Sequence, residues 1–245
     1  LLSVEKSIEL HSSCANAWTG KGNILRSLNR LSESLGSLEK AIELDPNFGW
    51  AWYERGFVLG RLGKYSEAIA SFDKFIELTD GKGDMIAWCR KAMMLRHLER
   101  LSEALDAVDK ALDFKDPECR QMQQILKIGT LVDLDRTSEA RNLAKELDET
   151  KMDGAQALNN YGWMLGKLGL FKKGIDVCRR AVEMDSGKAY VWDTLACNLE
   201  GAGLDTEALE AFEKALALKK NDTEISWSVL AKLYERLGRP GKAEE

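Results

Sequence analysis

The sequence predicts an all-α protein built from repeated helical hairpins, and three observations lead to this fold class. Tryptophans recur at spacings of 34 to 36 residues or a multiple of them, at Trp18, Trp52, Trp88, Trp192 and Trp227. Within each period, apolar residues recur every three or four positions in two runs of about a dozen residues, as in amphipathic helices. Only 3 of the 245 residues are prolines, so long helices are not interrupted. Each period is therefore predicted to form two helices joined by a turn.

The repeats form a single predicted array over residues 1–245. Its full units are 15–48, 49–84, 85–120, 121–154, 155–188 and 189–223, with a partial unit at 1–14, holding a second helix only, and another at 224–245. The unit 121–154 is degenerate, because Gln124 replaces the tryptophan and Ile128 replaces a small residue. We expect a bend or looser packing in this unit.

Residues that tolerate a left-handed backbone mark the predicted end of the first helix in most units. Gly63, Gly169, Gly203 and Gly238 occupy this place, with Asn29 in the first full unit. A serine or threonine followed by glutamate comes three residues later, and these hydroxyl residues are expected to open the second helix as N-caps. They are Ser32, Ser66, Ser102, Ser138 and Thr206.

Small residues at three fixed places predict how closely the two helices of a hairpin approach. Without large side chains between them, the helix axes can lie roughly 8–10 Å apart. The first helices carry Gly22, Gly56, Ala92, Gly162, Ala196 and Ala231, and the second helices carry Ala68, Ala104, Ala140 and Ala208, then Ala41, Ala111, Ala181 and Ala215. The large residue near the start of the first helix is expected to pack against the neighbouring unit, so the hairpins must stack.

This pattern closely resembles the tetratricopeptide repeat (TPR), a helix-turn-helix unit of 34 residues. The second full unit carries most of the motif, at Trp52, Gly56, Leu59, Gly63, Tyr65, Ala68 and Phe72. The resemblance implies a right-handed α-solenoid superhelix of stacked hairpins, with the first helices lining a concave groove. It also implies that the chain acts as a protein–protein interaction scaffold.

Carried over to this sequence, the family's inward-facing places imply a set of peptide-binding residues. They are Asn23, Arg26, Trp50, Tyr53, Phe57, Arg61, Met93, Arg96, Asn159, Trp163, Lys167 and Tyr190. Trp50, Tyr53, Phe57 and Met93 would form an apolar patch. Arg61, Arg96 and Lys167 would pair with acidic positions of the ligand. The alternative is that Trp50, Phe57 and Met93 only fill gaps between adjacent first helices.

A more specific kind of TPR site, the clamp for the C-terminal carboxylate of chaperones, is not expected. Asn23 and Arg90 occupy two of its places, but Glu54 occupies another and would repel a carboxylate. The predicted ligand is therefore a protein or peptide of unspecified identity.

Signatures of catalysis, cofactors and metals are missing from the sequence. It contains no phosphate-binding loop and no His-Glu-x-x-His, and none of its 5 cysteines form Cys-x-x-Cys. We therefore expect no enzyme, no catalytic residues, no cofactor and no metal site. The net charge of −5 argues against nucleic acid as a partner, and neither a membrane span nor a signal peptide is apparent, so a cytoplasmic location is expected.

The two ends suggest a fragment of a longer array. Leu1–Leu10 resembles the last part of a second helix, and Arg239–Glu245 resembles the beginning of another. Polar capping helices are missing from both ends, so self-association through uncapped ends is expected. Two alternatives to peptide binding follow, namely a structural module that stacks end to end and a regulatory segment of a larger enzyme.

Overall fold

The computed structural model describes residues 14–80, 85–115, 119–219 and 225–238. The predictions for the helix ending near Leu10 and for the helix beginning at Arg239 lie outside these residues. The first helices of the units are α1 (Ala15–Ser27), α3 (Gly49–Arg61), α5 (Met85–His97), α7 (Arg120–Asp133), α9 (Ala155–Lys167), α11 (Ala189–Gly201) and α13 (Trp227–Arg236). The second helices are α2 (Leu31–Leu44), α4 (Tyr65–Leu78), α6 (Leu101–Leu112), α8 (Thr137–Glu146), α10 (Phe171–Met184) and α12 (Asp205–Leu218), and a 3₁₀ helix covers Glu149–Lys151.

The helices pack as consecutive hairpins, which confirms the predicted all-α fold class. Extensive contacts join α1 with α2, α3 with α4, α5 with α6, α9 with α10 and α11 with α12. The second helix of a hairpin also contacts the first helix of the next, as α2 does with α3 and α10 does with α11. Each hairpin thus covers an apolar side of its neighbour.

The chain divides into two compact units. Unit 1 ends at Thr130 and unit 2 begins at Leu131. The boundary falls inside α7, which is the first helix of the degenerate repeat. Unit 1 therefore contains the first three hairpins and most of α7, and unit 2 contains the remaining helices. The two units are described separately below.

Small residues set the close approach of the helices in unit 1, as the sequence predicts. A Cβ atom added at Gly56 would lie 2.9 Å from the ring of Phe72, which is itself fully buried. Ala68, Ala92 and Ala104 are completely buried around the same core. Because the apolar ring fills the space that a side chain on α3 would need, any larger residue at Gly56 would separate the two helices.

The core of unit 2 follows the same rule around a buried thiol. A Cβ atom at Gly162 would lie 2.3 Å from Cys178 Sγ, and Ala181, Ala196 and Ala208 are completely buried. Burial raises the pKa of Cys178 to about 12, so the thiol remains neutral and contributes as an apolar group.

Two tryptophan side chains tie their hairpins to the loops that precede them. The Trp52 indole Nε1 donates a hydrogen bond to the Pro46 carbonyl at 2.8 Å, and Trp192 Nε1 donates to Ser186 at 2.8 Å. Both rings pack at the edge of a core cluster that spans more than one hairpin. Trp227 differs, because 52% of its side chain is exposed.

The predicted left-handed residues end the first helices. Gly63, Gly169, Gly203 and Gly238 have φ values of 76°, 68°, 77° and 70°, and Asn29 has 60°. In the remaining two hairpins, Glu99 and Asp135 occupy the same place, both with φ of 57°. The backbone geometry is therefore repeated even where the sequence lacks the residue that suits it.

The prediction that serine and threonine cap the second helices is wrong. Ser32 and its equivalents lie at the second helical position, and the N-cap is Arg30, Lys64, Arg100, Arg136 or Leu204, none with a side-chain capping hydrogen bond. The tight turn places the N-cap directly after the left-handed residue, two positions before the hydroxyl. The following glutamate instead pairs with the N-cap cation, as in the Arg30 Nη2–Glu33 Oε2 contact of 2.6 Å.

Helix α8 in the degenerate repeat has ten residues, fewer than the other second helices. Its last carbonyls are bound by side chains of the following hairpin. Lys173 Nζ donates to the carbonyls of Ala144 at 3.1 Å and Leu147 at 2.9 Å, and the Tyr161 hydroxyl donates to Ala144 at 2.5 Å. These bonds supply partners for carbonyls that the shortened helix leaves open.

Candidate protein-binding face

The first helices of unit 1 lie side by side and present a common surface. Arg26 Nε on α1 lies 3.3 Å from Glu54 Oε2 on α3, and a Cβ atom at Gly60 on α3 would lie 2.8 Å from Met94 Sδ on α5. We call this surface the first-helix face and define it by Asn23, Arg26, Trp50, Tyr53, Phe57, Arg61, Ile86, Met93, Arg96 and Met122. It contains eight of the twelve binding residues predicted from the sequence.

An aromatic cluster forms the N-terminal end of α3. The rings of Trp50 and Tyr53 stack with centroids 4.8 Å apart, and Tyr53 packs against Phe75 of α4 at 5.4 Å. Trp50 nevertheless remains 46% exposed. The aromatic rings that it contacts, Tyr53 and Phe75, lie within its own hairpin.

Phe57 behaves differently from Trp50 and lies between neighbouring first helices. The guanidinium carbons of Arg26 and Arg90 each lie 4.7 Å from its ring centroid. Arg26 belongs to α1 and Arg90 to α5, so the phenylalanine links three helices through cation–π contacts. This placement matches the gap-filling alternative more closely than that of an open apolar anchor.

Glu54 is the acidic residue of this surface, and it is only 7% exposed. Burial raises its pKa, while the charge of Arg26 and a hydrogen bond from Asn23 act in the opposite direction. The Oδ1 atom of Asn23 and the Nε atom of Arg26 are buried without a hydrogen-bond partner. The Arg26 contact with Glu54 is therefore an ion pair without an aligned hydrogen bond at Nε.

The C-terminal ends of the first helices supply positive charge. Arg61 is exposed and donates a hydrogen bond from Nη2 to Asn29 Oδ1 at 2.8 Å. Arg96 reaches α7, where a Cβ atom at Gly129 would lie 3.2 Å from its Nη1. Met93 is 38% exposed, one turn before Arg96. An apolar end and a basic end therefore share one face.

The other four predicted binding residues belong to unit 2 and are described by themselves. Trp163 is 50% exposed, with Lys167 Nζ 5.2 Å from its ring centroid. Asn159 is only 7% exposed, and its Oδ1 atom has no hydrogen-bond partner. Tyr190 is half-buried. This unit thus offers one large exposed aromatic side chain among the predicted residues.

Met122 was missed by the sequence prediction. It is 70% exposed and lies 36 residues after Ile86, which is 40% exposed and itself lies 36 residues after Trp50. We call Trp50, Ile86 and Met122 the apolar row. The repeat spacing could have predicted Met122, since each residue of the apolar row lies two positions before the tryptophan position of its unit. In the fourth unit Gln124 replaces that tryptophan, so the equivalence of Met122 was not recognised.

The segregation of charge in unit 1 was also missed. The acidic residues of its second helices are Glu33, Glu39, Glu43, Glu67, Asp73, Glu77, Glu103, Asp106 and Asp109, beside Lys40, Lys74 and Lys110. The first helices, up to Thr130, carry Lys21, Arg26, Arg55, Arg61, Arg90, Lys91, Arg96, Arg120 and Lys127, with Glu54 as their acidic residue. A net charge of −5 therefore conceals a basic first-helix layer.

The described residues contain no group of three or more histidine, cysteine, aspartate or glutamate side chains placed to hold a metal ion. In the same parts of the chain, every helix is too short or too polar to cross a bilayer. A cavity of about 300 Å³ lies in unit 2, with Trp192, Leu195, Leu199 and Lys214 among its lining residues.

Comparison with known families identifies the repeat directly. Models described as "TPR repeat" and "Tetratricopeptide repeat" match residues 22–63, 53–118 and 155–188. No curated protein sequence matches the chain.

Solved structures with low sequence identity share the fold. A chain of the Cut9–Hcn1 hetero-tetramer of the APC/C has a TM-score of 0.73 at 17% identity, covering 96% of this chain and 45% of that chain. A tetratricopeptide repeat protein from Parabacteroides merdae has a TM-score of 0.70 at 15% identity, with coverages of 94% and 89%. YrrB, described as a TPR protein with an unusual peptide-binding site, has a TM-score of 0.51 at 20% identity, with coverages of 95% and 97%.

This protein spans less than half of the matched chain in the Cut9–Hcn1 structure. The family models together cover just over half of its 245 residues, and the remaining hairpins repeat the same turn and the same buried small residues. The chain belongs to the tetratricopeptide repeat family.

Proposed function

We propose that the chain is a non-catalytic protein-interaction module that binds a segment of a partner protein on the first-helix face of unit 1. The observation that carries this proposal is the apolar row. Trp50, Ile86 and Met122 are large apolar side chains, all at least 40% exposed, at one place on three successive first helices. Interactions with proteins are also the general role of TPR domains.

The apolar row has the properties of a binding surface. Exposed apolar side chains that are scattered singly are common, whereas a contiguous set at one structural position indicates an interaction site. Tryptophan is enriched among the residues that dominate interface energies. Burying each anchor would contribute about 1.5–3 kcal/mol, offset in part by the cost of ordering the partner segment.

The basic end of the face adds selectivity to this apolar contact. Arg61 is exposed, and Arg96 lies at the matching end of the next first helix. Both would pair with acidic residues of the ligand, and such pairs steer association and fix register more than they add affinity. Phe57 then acts by holding Arg26 and Arg90 in place rather than by touching the ligand directly.

Unit 2 offers a separate contact in the same proposal. Trp163 occupies the groove place of its hairpin and is half exposed, with the Lys167 ammonium near its ring. A second segment of the partner would use this aromatic side chain. The description of YrrB, which names a peptide-binding site in a protein of this fold, supports peptide binding as the mode.

The proposal is tested by selecting binders without assuming their chemistry. A library of random peptides displayed on phage is selected against the full chain, and the affinities of the enriched peptides are then measured. Trp50→Ala should weaken binding at least about tenfold, corresponding to the loss of about 1.4 kcal/mol. Trp227→Ala is the matched control, because Trp227 is similarly exposed but belongs to unit 2.

Loss of binding counts only if the helical circular dichroism of Trp50→Ala equals that of the wild type. Enriched peptides that bind Trp50→Ala and wild type equally would refute the proposed location. Selections that enrich no peptide above background would refute peptide binding itself.

A further inference from the structure

Resting on the proposed function, we infer that the partner segment is an acidic amphipathic α-helix with an apolar residue at every seventh position. Its apolar stripe lies on Trp50, Ile86 and Met122, and its acidic flank faces the arginines at the other end of the first-helix face. Four features of unit 1 lead to this partner class: the spacing of the apolar row, the side chains between that row and the arginines, the width of the face, and the distribution of charge.

The spacing of the apolar row matches the heptad repeat of a helix. Helix α3 contacts α5, and the Arg96 side chain of α5 reaches Gly129 of α7. Packed helices have axes about 8–10 Å apart, so anchors at one place on these three helices are expected to recur at about that interval. Seven helical residues rise about 10.5 Å and return to nearly the same side of the helix. Three residues of a β-strand cover a similar distance, about 10 Å, but place alternate anchors on opposite sides.

A polyproline II segment also returns to the same side about every 9 Å, so a second feature is needed to distinguish it from a helix. Extended backbones need external partners for their amide groups, whereas a helix satisfies most of its own. Between the apolar row and the arginines, α3 and α5 carry Tyr53, Phe57, Cys89 and Met93. Such side chains offer few hydrogen-bond partners to the backbone amides of an extended ligand. A helix, whose backbone hydrogen bonds are internal, is therefore favoured.

The width of the face also suits a helix. About ten residues of α5 separate Ile86 from Arg96, and ten helical residues rise about 15 Å. A helix with its side chains is about 10–12 Å across, so one flank can rest on the apolar row while the other reaches the arginines.

The charge distribution requires that the second flank be acidic. Arg61 and Arg96 lie near the C-terminal ends of α3 and α5, and Glu54, the acidic residue of α1, α3 and α5, is buried against Arg26. A basic ligand would therefore meet cations at the C-terminal ends of α3 and α5. A nucleic acid strand would satisfy the arginines but would bring phosphates towards Ile86 and Met122, whose side chains are apolar and uncharged.

The test uses labelled probe peptides and fluorescence anisotropy with the full chain. The first probe is a peptide of about 22 residues, three helical heptads, with leucines at i, i+7 and i+14 and glutamates along one flank. Four further probes alter one feature each: lysines replace the glutamates, the leucines are moved off the heptad, a central proline breaks the helix, or an acidic proline-rich peptide carries leucine at every third position. Oligouridine is the sixth probe.

Two variants with matched controls locate the contacts. Met122→Ser and Arg61→Glu change exposed side chains of the first-helix face, and each should weaken binding of the first probe at least about fivefold, or 1 kcal/mol. Met184→Ser, at a similarly exposed methionine of α10, and Lys40→Glu, on the second-helix side of unit 1, should change the affinity less than about twofold.

We expect only the first probe to bind with an affinity that depends on both Met122 and Arg61. Stronger binding of the lysine, proline-broken or proline-rich peptide, or binding of oligouridine with the same dependence on Arg61, would overturn the inference. Display-selected peptides that need Trp50 but lack acidic heptads would also overturn it, yet leave the proposed function standing. Failure of every peptide, selected or designed, would instead refute both.

Discussion

The turn between the two helices of a hairpin requires one residue with positive φ, whatever the sequence supplies. Glycine adopts this conformation without steric cost, and asparagine or aspartate at modest cost. Glu99 has φ of 57° at this place. Glutamate lacks the short polar side chain with which asparagine and aspartate stabilise this conformation through a local hydrogen bond. The third hairpin therefore carries local strain that the second hairpin, with Gly63, does not.

Replacing Glu99 by glycine should accordingly stabilise the protein. Glu99→Gly removes the strain of about 1–2 kcal/mol but increases the entropy of the unfolded chain, so we expect a net gain of about 0.5–1 kcal/mol. Gly63→Ala introduces the strain at the matching place and should lower stability by about 1 kcal/mol. Urea denaturation measures both, and a loss of stability in Glu99→Gly would show that the turn is not strained.

Glu54 should make stability depend on pH with a defined sign. Burial raises its pKa in the folded state above the ordinary value of 4.5, so the folded protein holds this proton more tightly than the unfolded chain. Stability should therefore fall as the pH rises from the unfolded pKa through the folded one.

The comparison with Glu54→Gln isolates this contribution, because the other titrating groups are common to both proteins. The free energy of unfolding of the wild type minus that of the variant should decrease between pH 4 and pH 7. Denaturation curves at several pH values measure the difference. A difference that grows with pH would mean that Arg26, and not burial, controls the carboxyl group.

At the residue scale, the repeat register predicts where a side chain lies but not whether it is accessible. Trp50 and Phe57 were predicted together as groove residues, and the structure leaves one exposed and places the other between two guanidinium groups. Accessibility depends on which residues the neighbouring helices bring nearby, here Arg26 and Arg90. Those residues lie 31 and 33 positions away from Phe57, beyond the reach of a local pattern.

At the scale of single helices, the shortened α8 depends on the hairpin that follows it. Lys173 Nζ contacts the carbonyls of Ala144 and Leu147 and lies 3.1 Å from Glu149 Oε2. A cation at the C-terminal end of a helix is stabilised by both hydrogen bonds and the helix dipole. This single side chain completes a helix end that the degenerate repeat lacks.

Lys173→Met should therefore destabilise the protein by about 1–2 kcal/mol, because the carbonyls lose charged hydrogen-bond donors. Lys172→Met is the matched control, since the adjacent Lys172 side chain is exposed and should contribute less than about 0.5 kcal/mol to stability. Amide hydrogen exchange should accelerate in α8 for the first variant only. Equal effects of the two substitutions would refute the capping role.

Helix pairing was predictable because its determinants recur at fixed places, whereas the exact helix starts were not. The small residues at Gly56 and Ala68 repeat in several units and are buried in all but the last of them, where Ala231 is half-buried, so the pattern indicates close packing correctly. The serine before each glutamate resembles an N-cap, yet the turn geometry already places Arg30 or its equivalent there. The motif fits both the N-cap and the second helical position, and the sequence alone does not distinguish the two.

At the scale of the whole molecule, stability should be local in sequence. The helices with extensive contacts are never more than two apart along the described chain, as in other repeat proteins. In such an architecture each hairpin depends on its neighbours, so damage at one place should be felt mainly nearby.

Ala68→Leu tests this locality. Ala68 is completely buried between α3 and α4, and an inserted isobutyl group should cost about 1–3 kcal/mol by overpacking. Amide hydrogen exchange, measured by mass spectrometry, should increase in α3, α4 and α5 and remain unchanged in α10, α11 and α12. Ala70→Leu, at an exposed position of the same helix, should leave both regions unchanged. An equal increase in both regions for Ala68→Leu would mean that the described repeats unfold as one cooperative body, because only global opening exposes distant helices together.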